Sequence, residues 1–211
     1  MYGKKIHYVL MIATLFLLSS FSFAQSTSST SEYGDPKNEF SAQISGIFTH
    51  DSVGNSITQH STNAGGFLTG YRGYFTKWLG VDADYGYARN TQTNVTTTGT
   101  FAVQSNINQL TGALVAAVPM DRFKPFFLVG AGDLNFSPTN AAKTAVPGVT
   151  TQNKGTFLYG GGVDFDLARH LAIRGEYRGF VFGRPDFGLA TLNSNVRTYS
   201  AQTSAGIVFR F

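Results

Sequence analysis

Apolar and polar residues alternate along most of the chain with the two-residue period of a β-strand. The clearest case is the stretch 155–181, where two alternating runs, 155–167 and 171–181, flank a short polar connection. Successive side chains of a strand point to opposite faces, so each run has one apolar, aromatic face and one polar or glycine-rich face. Two such runs joined by a tight turn predict an antiparallel hairpin.

The polar face of this hairpin carries long charged side chains in mid-strand. The second run contributes Arg174, Glu176 and Arg178, whereas the first places Gly160 and Gly162 on the matching face. A symmetric turn predicts that these glycines lie opposite Glu176 and Arg174. The alternation leaves two architectures open: a soluble sheet with its apolar face in a protein core, or a membrane barrel with that face in lipid.

Eight alternating stretches follow one another along the chain. They span residues 40–50, 65–75, 79–89, 105–118, 125–136, 155–167, 171–181 and 196–211. Their connections alternate between long polar loops, at 51–63, 90–104, 137–154 and 182–195, and tight turns. Short turns at one end and long loops at the other are typical of outer-membrane barrels, and an even number of strands leaves both termini at the short-turn, periplasmic end.

Aromatic residues mark two levels along these strands. A girdle near the short turns, predicted to face the periplasm, comprises Phe40, Phe75, Trp78, Phe126, Phe165, Phe209 and Phe211. The opposite ends carry Phe48, Phe67, Tyr87, Phe136, Phe157, Phe182 and Tyr199. Two aromatic levels separated by about ten residues of tilted strand match the interfacial girdles of a membrane barrel. On the fifth stretch, this assignment puts Phe126 and Phe136 in lipid and Asp133 in the lumen.

The N-terminus has the layout of a secretory signal peptide, which we predict at residues 1–24. Lys4 and Lys5 precede a short apolar run, and a small-x-small cleavage site ends at Ala24. The run is too short for a membrane anchor. The Ser/Thr-rich segment 25–38 is predicted to be a flexible periplasmic lead-in, and residues 39–211 to form the barrel.

The composition of the chain excludes several classes of protein and of functional site. The 211 residues fit a single domain, and the lack of cysteine excludes a disulfide scaffold, a cysteine zinc site and a cysteine nucleophile. Without the predicted signal peptide, 14 basic residues face 12 acidic ones, which argues against nucleic-acid binding. After residue 24 no apolar run approaches the roughly 20 residues of a membrane helix. A mature chain that spans a membrane must therefore do so as a closed barrel.

Three segments resemble the eight-stranded outer-membrane barrels of the outer-membrane protein A and opacity-protein type. The hairpin at 159–180 resembles that family's Gly-rich strand, short turn and Arg/Glu/Tyr strand, and KPFFLVGAG at 124–132 resembles its fifth strand. The end, SAQTSAGIVFRF, is similar to the terminal signature read by the barrel-assembly machinery. The resemblance implies an all-β, eight-stranded antiparallel up-and-down transmembrane β-barrel in the cell outer membrane, with lipid and lipopolysaccharide around it. No peptidoglycan-binding domain follows Phe211, so we expect no cell-wall tether.

Eight charged residues are predicted to point into the lumen. They are Arg72, Asp82, Asp84, Asp133, Asp164, Arg174, Glu176 and Arg178. Side chains about fill an eight-stranded barrel, and an unpaired buried charge costs several kcal/mol. A symmetric turn about Lys77 would set Arg72 beside Asp82. We expect these charges to pair into a structural plug. If the pairs exchanged partners, they would instead open a narrow gated path.

Two further functions are considered for the loops and the outer rim. The Thr/Asn/Ser-rich loops are either solvated connectors or, by family analogy, an adhesin-like recognition surface whose ligand no residue identifies. Arg184 and Arg197 are candidates for lipopolysaccharide phosphates. His50, Asp51 and Ser52 cannot line up as a catalytic set, because strand neighbours point to opposite faces.

A His50 and Ser52 dyad with an acid from another strand leaves a lipid A-modifying enzyme as a third hypothesis. No histidine spacing suggests a metal site. The sequence therefore predicts a structural, monomeric outer-membrane barrel that presents four extracellular loops. We expect no enzymatic activity, cofactor or metal.

Overall fold

The computed structural model describes residues 37–97, 99–118, 120–139, 148–189, 192–193 and 195–211. The predicted signal peptide, and the lead-in up to residue 36, lie outside the described residues. The described chain forms ten β-strands: β1 (Asn38–Thr49), β2 (Ser52–Gly54), β3 (Ile57–Ser61), β4 (Ala64–Tyr74), β5 (Leu79–Thr96), β6 (Gly99–Ala117), β7 (Phe123–Pro138), β8 (Gln152–Ala168), β9 (Leu171–Gly183) and β10 (Arg197–Arg210).

Eight of these strands, β1 and β4 to β10, close into a barrel. Each pairs antiparallel with the next along the chain, and β10 returns to pair with β1 from Glu39↔Arg210 to Thr49↔Ser200. Closure pairs the backbone of every strand on both sides, which removes exposed sheet edges. The predicted fold class is confirmed.

The two faces of the barrel wall separate apolar from charged side chains. Residues such as Ile44, Leu114 and Ile173 are exposed on the outside, with Ile44 at 76% of its maximum. Their strand neighbours point inward and are buried, as the alternating burial along β1, β6 and β9 shows. An outer apolar band with a polar interior is the arrangement of a membrane barrel.

Two predicted loops contain strand structure. β5 runs to Thr96 and β6 starts at Gly99, so the predicted loop 90–104 is mostly a continuation of their hairpin. In the loop 51–63, β2 and β3 form a small hairpin, and β3 pairs with β5 from Thr58↔Val95 to Ser61↔Gln92. The physical reason is the β-branched Thr and Val content of residues 91–96, which favours extended backbone.

The structure inverts the facing predicted for the fifth stretch, β7. Phe126 and Phe136 are buried in the lumen at 1% exposure, whereas Phe127 is 71% exposed on the outer wall. Asp133 has the outward parity of Phe127, so its predicted place in the lumen is wrong. The sequence FFLV at 126–129 is apolar at both parities, so alternation could not choose the face. A slip of one residue reverses every side chain.

The β8–β9 hairpin has the predicted parity but a register shifted by two residues. Gly160 lies opposite Arg178, Gly162 opposite Glu176, and Asp164 opposite Arg174, because the chain turns at Arg169 and His170. That turn alone would shift the register by three residues, and the bulge at Asp166/Ala168 reduces the shift to two. A Cβ on Gly160 would lie 2.1 Å from the carbonyl oxygen of Tyr177. A side chain there would push the two strands apart, so glycine permits their close approach.

Candidate functional site

The barrel lumen is the candidate functional site, and its short-turn end holds a lower ion cluster. The cluster comprises Glu39, Lys124, Asp164, Asp166, Arg174 and Arg210. Glu39 Oε2 accepts a hydrogen bond from Arg174 Nη2 at 2.7 Å. Glu39 Oε1 accepts from Arg210 Nε at 2.9 Å and from Lys124 Nζ at 3.2 Å. One carboxylate therefore joins three cations from three strands.

Asp164 is the second centre of the lower ion cluster. It accepts from Arg174 through both oxygens, at 2.7 Å to Nε and 2.9 Å to Nη2, a bidentate pair. Its Oδ2 also accepts from Arg210 Nη2 at 3.1 Å, and Arg210 reaches Asp166 as well. Three carboxylates thus balance three cations. The strand registers Glu39↔Arg210 and Asp164↔Arg174 place two of these pairs directly across neighbouring strands.

An upper ion cluster lies farther along the lumen. It comprises Arg72, Asp82, Asp84, Glu176 and Arg178. Arg72 Nη2 donates to Asp82 Oδ2 at 2.7 Å, in the register that a turn about Lys77 predicts. Arg178 Nη1 donates to Asp84 Oδ2 at 2.8 Å, and its Nε donates to Glu176. All five side chains are at most 5% exposed, so they depend on one another for solvation.

The ring of Phe126 contacts one arginine of each cluster. Arg72 Cζ lies 4.2 Å from the ring centroid and Arg174 Cζ lies 5.0 Å from it. Both distances suit cation–π contact. An apolar ring inside a charged lumen is therefore in a favourable position, and it fills space that would otherwise admit water.

Beyond the upper cluster the lumen becomes neutral. Gln109 and Gln202 exchange side-chain hydrogen bonds at 3.1 and 3.3 Å across it. An apolar plug follows, formed by Leu134, Phe136, Leu158, Phe180, Phe182 and Phe187. The cavity beside this plug has a volume of about 20 Å³. That is room for about one water molecule.

Phe187 enters the plug from the last loop, which folds over the barrel mouth. Gln152 Oε1 accepts hydrogen bonds from the backbone N–H groups of Asp186 and Phe187, both at 3.0 Å. The carbonyl oxygen of Phe187 accepts from the Thr150 N–H at 2.9 Å. Burial raises the pKa of Asp186, but hydrogen bonds from Gly188 and Gln152 outweigh it and hold that pKa below its ordinary value. The loop is therefore tied to the start of β8.

Comparison with known proteins agrees with this architecture. A family model described as the outer membrane protein beta-barrel domain matches residues 13–210. The chain belongs to this family. Within its described residues, no helix is long and apolar enough to cross a membrane. The protein is an outer-membrane β-barrel, and its outer apolar band faces lipid.

Two solved structures are similar to this outer-membrane barrel in fold. The outer membrane protein OprG from Pseudomonas aeruginosa is 12% identical, with a TM-score of 0.63, and the match covers 83% of this chain and 96% of OprG. Neisserial surface protein A is 14% identical, with a TM-score of 0.54, over 82% of this chain and 97% of that protein. None of the curated proteins searched matches the sequence.

The outer-membrane barrel brings most of the predicted lumen charges together. The structure places Arg72, Asp82, Asp84, Asp164, Arg174, Glu176 and Arg178 in the two ion clusters, but not Asp133. Sequence reasoning missed Glu39, Lys124, Asp166 and Arg210. A signal for three of them was available, since Glu39, Asp166 and Arg210 directly adjoin outward-facing Phe40, Phe165 and Phe209 and therefore have inward parity.

The predicted girdle is placed on the outer wall with one exception. Phe40, Phe75, Phe209 and Phe211 are exposed there, and Trp78 is exposed in the short turn between β4 and β5. Phe165 lies against Phe123 with tilted rings whose centroids are 5.0 Å apart. Phe126 is the exception, because its ring lies between the two ion clusters. At the long-loop end, Phe136 and Phe182 are likewise in the lumen, with ring centroids 5.7 Å apart.

The remaining candidate residues lie at the long-loop end. Arg184 points into the barrel mouth and is 6% exposed, whereas Arg197 is exposed. Contact of these arginines with lipopolysaccharide phosphates stays a prediction. Asp51 Oδ2 lies 2.7 Å from His60 Nδ1. Among the described residues, no group of three His, Cys, Asp or Glu side chains could hold a metal ion.

Proposed function

We propose that this protein is a structural outer-membrane barrel whose lumen is closed and which presents four extracellular loops. The observation that carries the proposal is the filling of the lumen. Two paired ion clusters and an apolar plug succeed one another, and the cavity in the upper lumen is only about 20 Å³. Diffusion porins have about 16 strands, twice the number here.

Charge pairing favours a closed lumen over a gated path. A hydrated ion would have to displace side chains such as Arg174, whose Nη2 is shared between Glu39 and Asp164. Removing one partner of a buried pair costs about 3–5 kcal/mol. The clusters are also linked through Phe126, so a path would require several contacts to break together.

Conductance in planar bilayers tests this proposal. We expect the refolded mature protein to give no steady openings, under conditions in which a porin in the same membranes conducts, because the paired side chains of the two clusters fill the lumen of an eight-stranded barrel. The variants Arg174→Ala and Glu176→Ala each remove one charged side chain from a cluster, and they test whether the clusters control conductance. Steady wild-type openings that either variant abolishes would refute the closed plug and favour the narrow gated pore.

A second candidate function, surface recognition, is favoured by the strand structure of the extended β5–β6 hairpin. β3 pairs along its edge and makes a three-stranded platform at the long-loop end. Rigid scaffolds that present polar segments are common binding surfaces. Its exposed residues include Arg89 and Val95. The ligand of this surface is unknown.

Shortening the β5–β6 hairpin tests surface recognition. In bacteria that display the protein, we expect deletion of residues 92–103 to keep the heat-modifiable gel migration of a folded barrel. It should abolish adhesion of the bacteria to host-cell monolayers, because the platform is lost. Replacing residues 148–151 by glycines is the matched control and should leave adhesion intact. Unchanged adhesion after the deletion would exclude the platform.

The partners of the barrel are part of the same proposal. We propose that it acts as a monomer, that the exposed Arg197 contacts lipopolysaccharide phosphates, and that β10 engages the barrel-assembly machinery before it closes against β1. We propose no enzymatic role for this barrel. The exposed pair of Asp51 and His60 leaves the third hypothesis, a His50 and Ser52 dyad with an acid from another strand, to experiment. Lipid A turnover that is lost in both His50→Ala and Ser52→Ala would contradict our proposal.

A further inference from the structure

Arg184 is a buried cation without an anionic partner among the described residues. It follows β9, keeps the inward parity of that strand and is 6% exposed. Its Nη2 donates to Asn94 Oδ1 at 2.8 Å, but its Nε and Nη1 have no hydrogen-bond partner in the described part of the chain. The Asn94 Nδ2 amide is also buried without one. Buried donors are normally satisfied, so three unsatisfied donor atoms on two hydrogen-bonded side chains indicate a missing partner.

The acids of the described residues do not account for this cation. The nearest acid in sequence, Asp186, is engaged by Gln152 and the Gly188 N–H, and Asp51 is engaged by His60. Outside the described residues, positions 98, 119, 140–147, 190–191 and 194 contain no Asp or Glu, and the acids Glu32 and Asp35 precede β1 in the sequence. Burial lowers the pKa of Arg184 to about 10, so the guanidinium remains charged at neutral pH. An external anion is the partner that the described residues around Arg184 lack.

We propose that Arg184 and Asn94 form a binding site in the extracellular mouth of the barrel for a small oxyanion, a carboxylate or a phosphate. The stereochemistry of the guanidinium supports this ligand class. Asn94 occupies one of the two N–H bonds of Nη2, and the other lies beside either the Nε–H or an Nη1–H. One parallel pair of donors therefore remains, which matches the two oxygens of a carboxylate or phosphate. The free Nδ2 of Asn94 adds a third donor.

The location of the site separates it from the outer wall, where lipopolysaccharide lies. Asn94 is fully buried and pairs across the hairpin with Phe101, on the lumen side of β5 and β6. Phe187 and Leu192 of the last loop are buried at the same end of the barrel. A free anion small enough to enter the mouth therefore fits better than a phosphate that is anchored to a lipid.

Arginine side-chain NMR on the refolded mature protein tests the site. In micelles without lipopolysaccharide, we expect sodium acetate or inorganic phosphate, at constant ionic strength, to shift the Arg184 Nε–H resonance saturably. Half-saturation should fall on the order of 1 mM, the affinity range of a few polar contacts. The loss of one resonance in Arg184→Lys assigns the signal, and heat-modifiable migration checks that this variant folds. Asn94→Leu should weaken binding roughly tenfold through loss of its hydrogen bonds.

The matched control is Arg197→Gln, at an exposed arginine that begins β10, which should leave the titration unchanged. If the Arg184 resonance moves linearly with anion concentration, in parallel with that of Arg197, the effect is general screening and the site is refuted. A shift that appears only after addition of lipopolysaccharide would assign the arginine to a lipid and overturn the proposal of a free anion. The wild-type titration decides the question even if a variant fails to fold.

Discussion

Replacing Arg174 with methionine is expected to destabilise the folded barrel by about 3–5 kcal/mol, the usual cost of leaving buried charges without a partner. The substitution keeps much of the side-chain volume and removes the hydrogen bonds to Glu39 and Asp164. Both carboxylates are at most 1% exposed, so water cannot replace the guanidinium. Lys124 and Arg210 remain, but the lower ion cluster then has three carboxylates for two cations.

Urea unfolding from lipid vesicles, followed by the emission of Trp78, measures this loss. Trp78 is the single tryptophan of the sequence and is exposed in the short turn between β4 and β5, at the predicted level of the membrane interface, so we expect its emission to change when the barrel leaves the lipid. Arg197→Met is the matched control, and we expect it to change the unfolding free energy by no more than about 0.5 kcal/mol, as for surface substitutions in general. Equal losses in both variants would mean that the lower ion cluster does not stabilise the fold.

A double variant separates the loss of the pair from the loss of packing. Arg174→Met with Asp164→Leu removes the bidentate pair and leaves two cations against two carboxylates. We expect it to be more stable than Arg174→Met alone, because replacing a whole buried pair by apolar residues is often neutral or stabilising. If the losses of Arg174→Met and of Asp164→Leu, each measured alone, simply add in the double variant, the two residues do not act as a pair.

The lower ion cluster also lies across the seam where the barrel closes. Glu39 on β1 and Arg210 on β10 are direct partners in the closing register, and both also reach residues of other strands. A slip of one residue at this seam would turn one of the charges toward lipid. We therefore infer that the cluster selects the closing register, beyond its contribution to stability.

The barrel fold could be predicted from the sequence because alternation, loop length and aromatic levels agree with one another. Charged residues such as Arg174 and Glu176 alternate with apolar ones along a strand. Because a charge is costly in lipid, the charged face must point into the lumen. The short turn about Lys77 then places Arg72 opposite Asp82. Parity depends on single residues and needs no knowledge of the neighbouring strand.

The facing of β7 and the register of the β8–β9 hairpin could not be predicted from the sequence, because both depend on contacts between strands. In β7, both faces of residues 126–129 are apolar, so only pairing with β6, for example Val115↔Leu128, decides which face is inside. In the β8–β9 hairpin, the position of the turn at Arg169 and His170, together with a bulge that no residue type announces, sets a register two residues away from the predicted one. Phe136 of the apolar plug was missed for the first reason, because β7 was predicted to turn it toward lipid. Phe182 was missed although it has the inward parity of Arg178 on β9, because it was assigned to the second aromatic level.

Phe126→Ala is expected to cost about 3–5 kcal/mol, the range for truncating a buried phenylalanine. The ring is 1% exposed and lies against the guanidinium groups of Arg72 and Arg174. Its removal leaves a cavity between the two ion clusters and deletes both cation–π contacts. The same urea unfolding in vesicles measures the effect.

The adjacent Phe127 provides the matched control, since it has the same side chain on the opposite face of β7. It is 71% exposed on the outer wall, and lipid tails, which are as apolar as the ring, fill the space that Phe127→Ala leaves. We expect that variant to lose no more than about 1 kcal/mol. A larger loss for Phe127→Ala than for Phe126→Ala would restore the parity that alternation alone suggested. It would also place Asp133 in the lumen, so this pair of variants tests the facing of the whole strand.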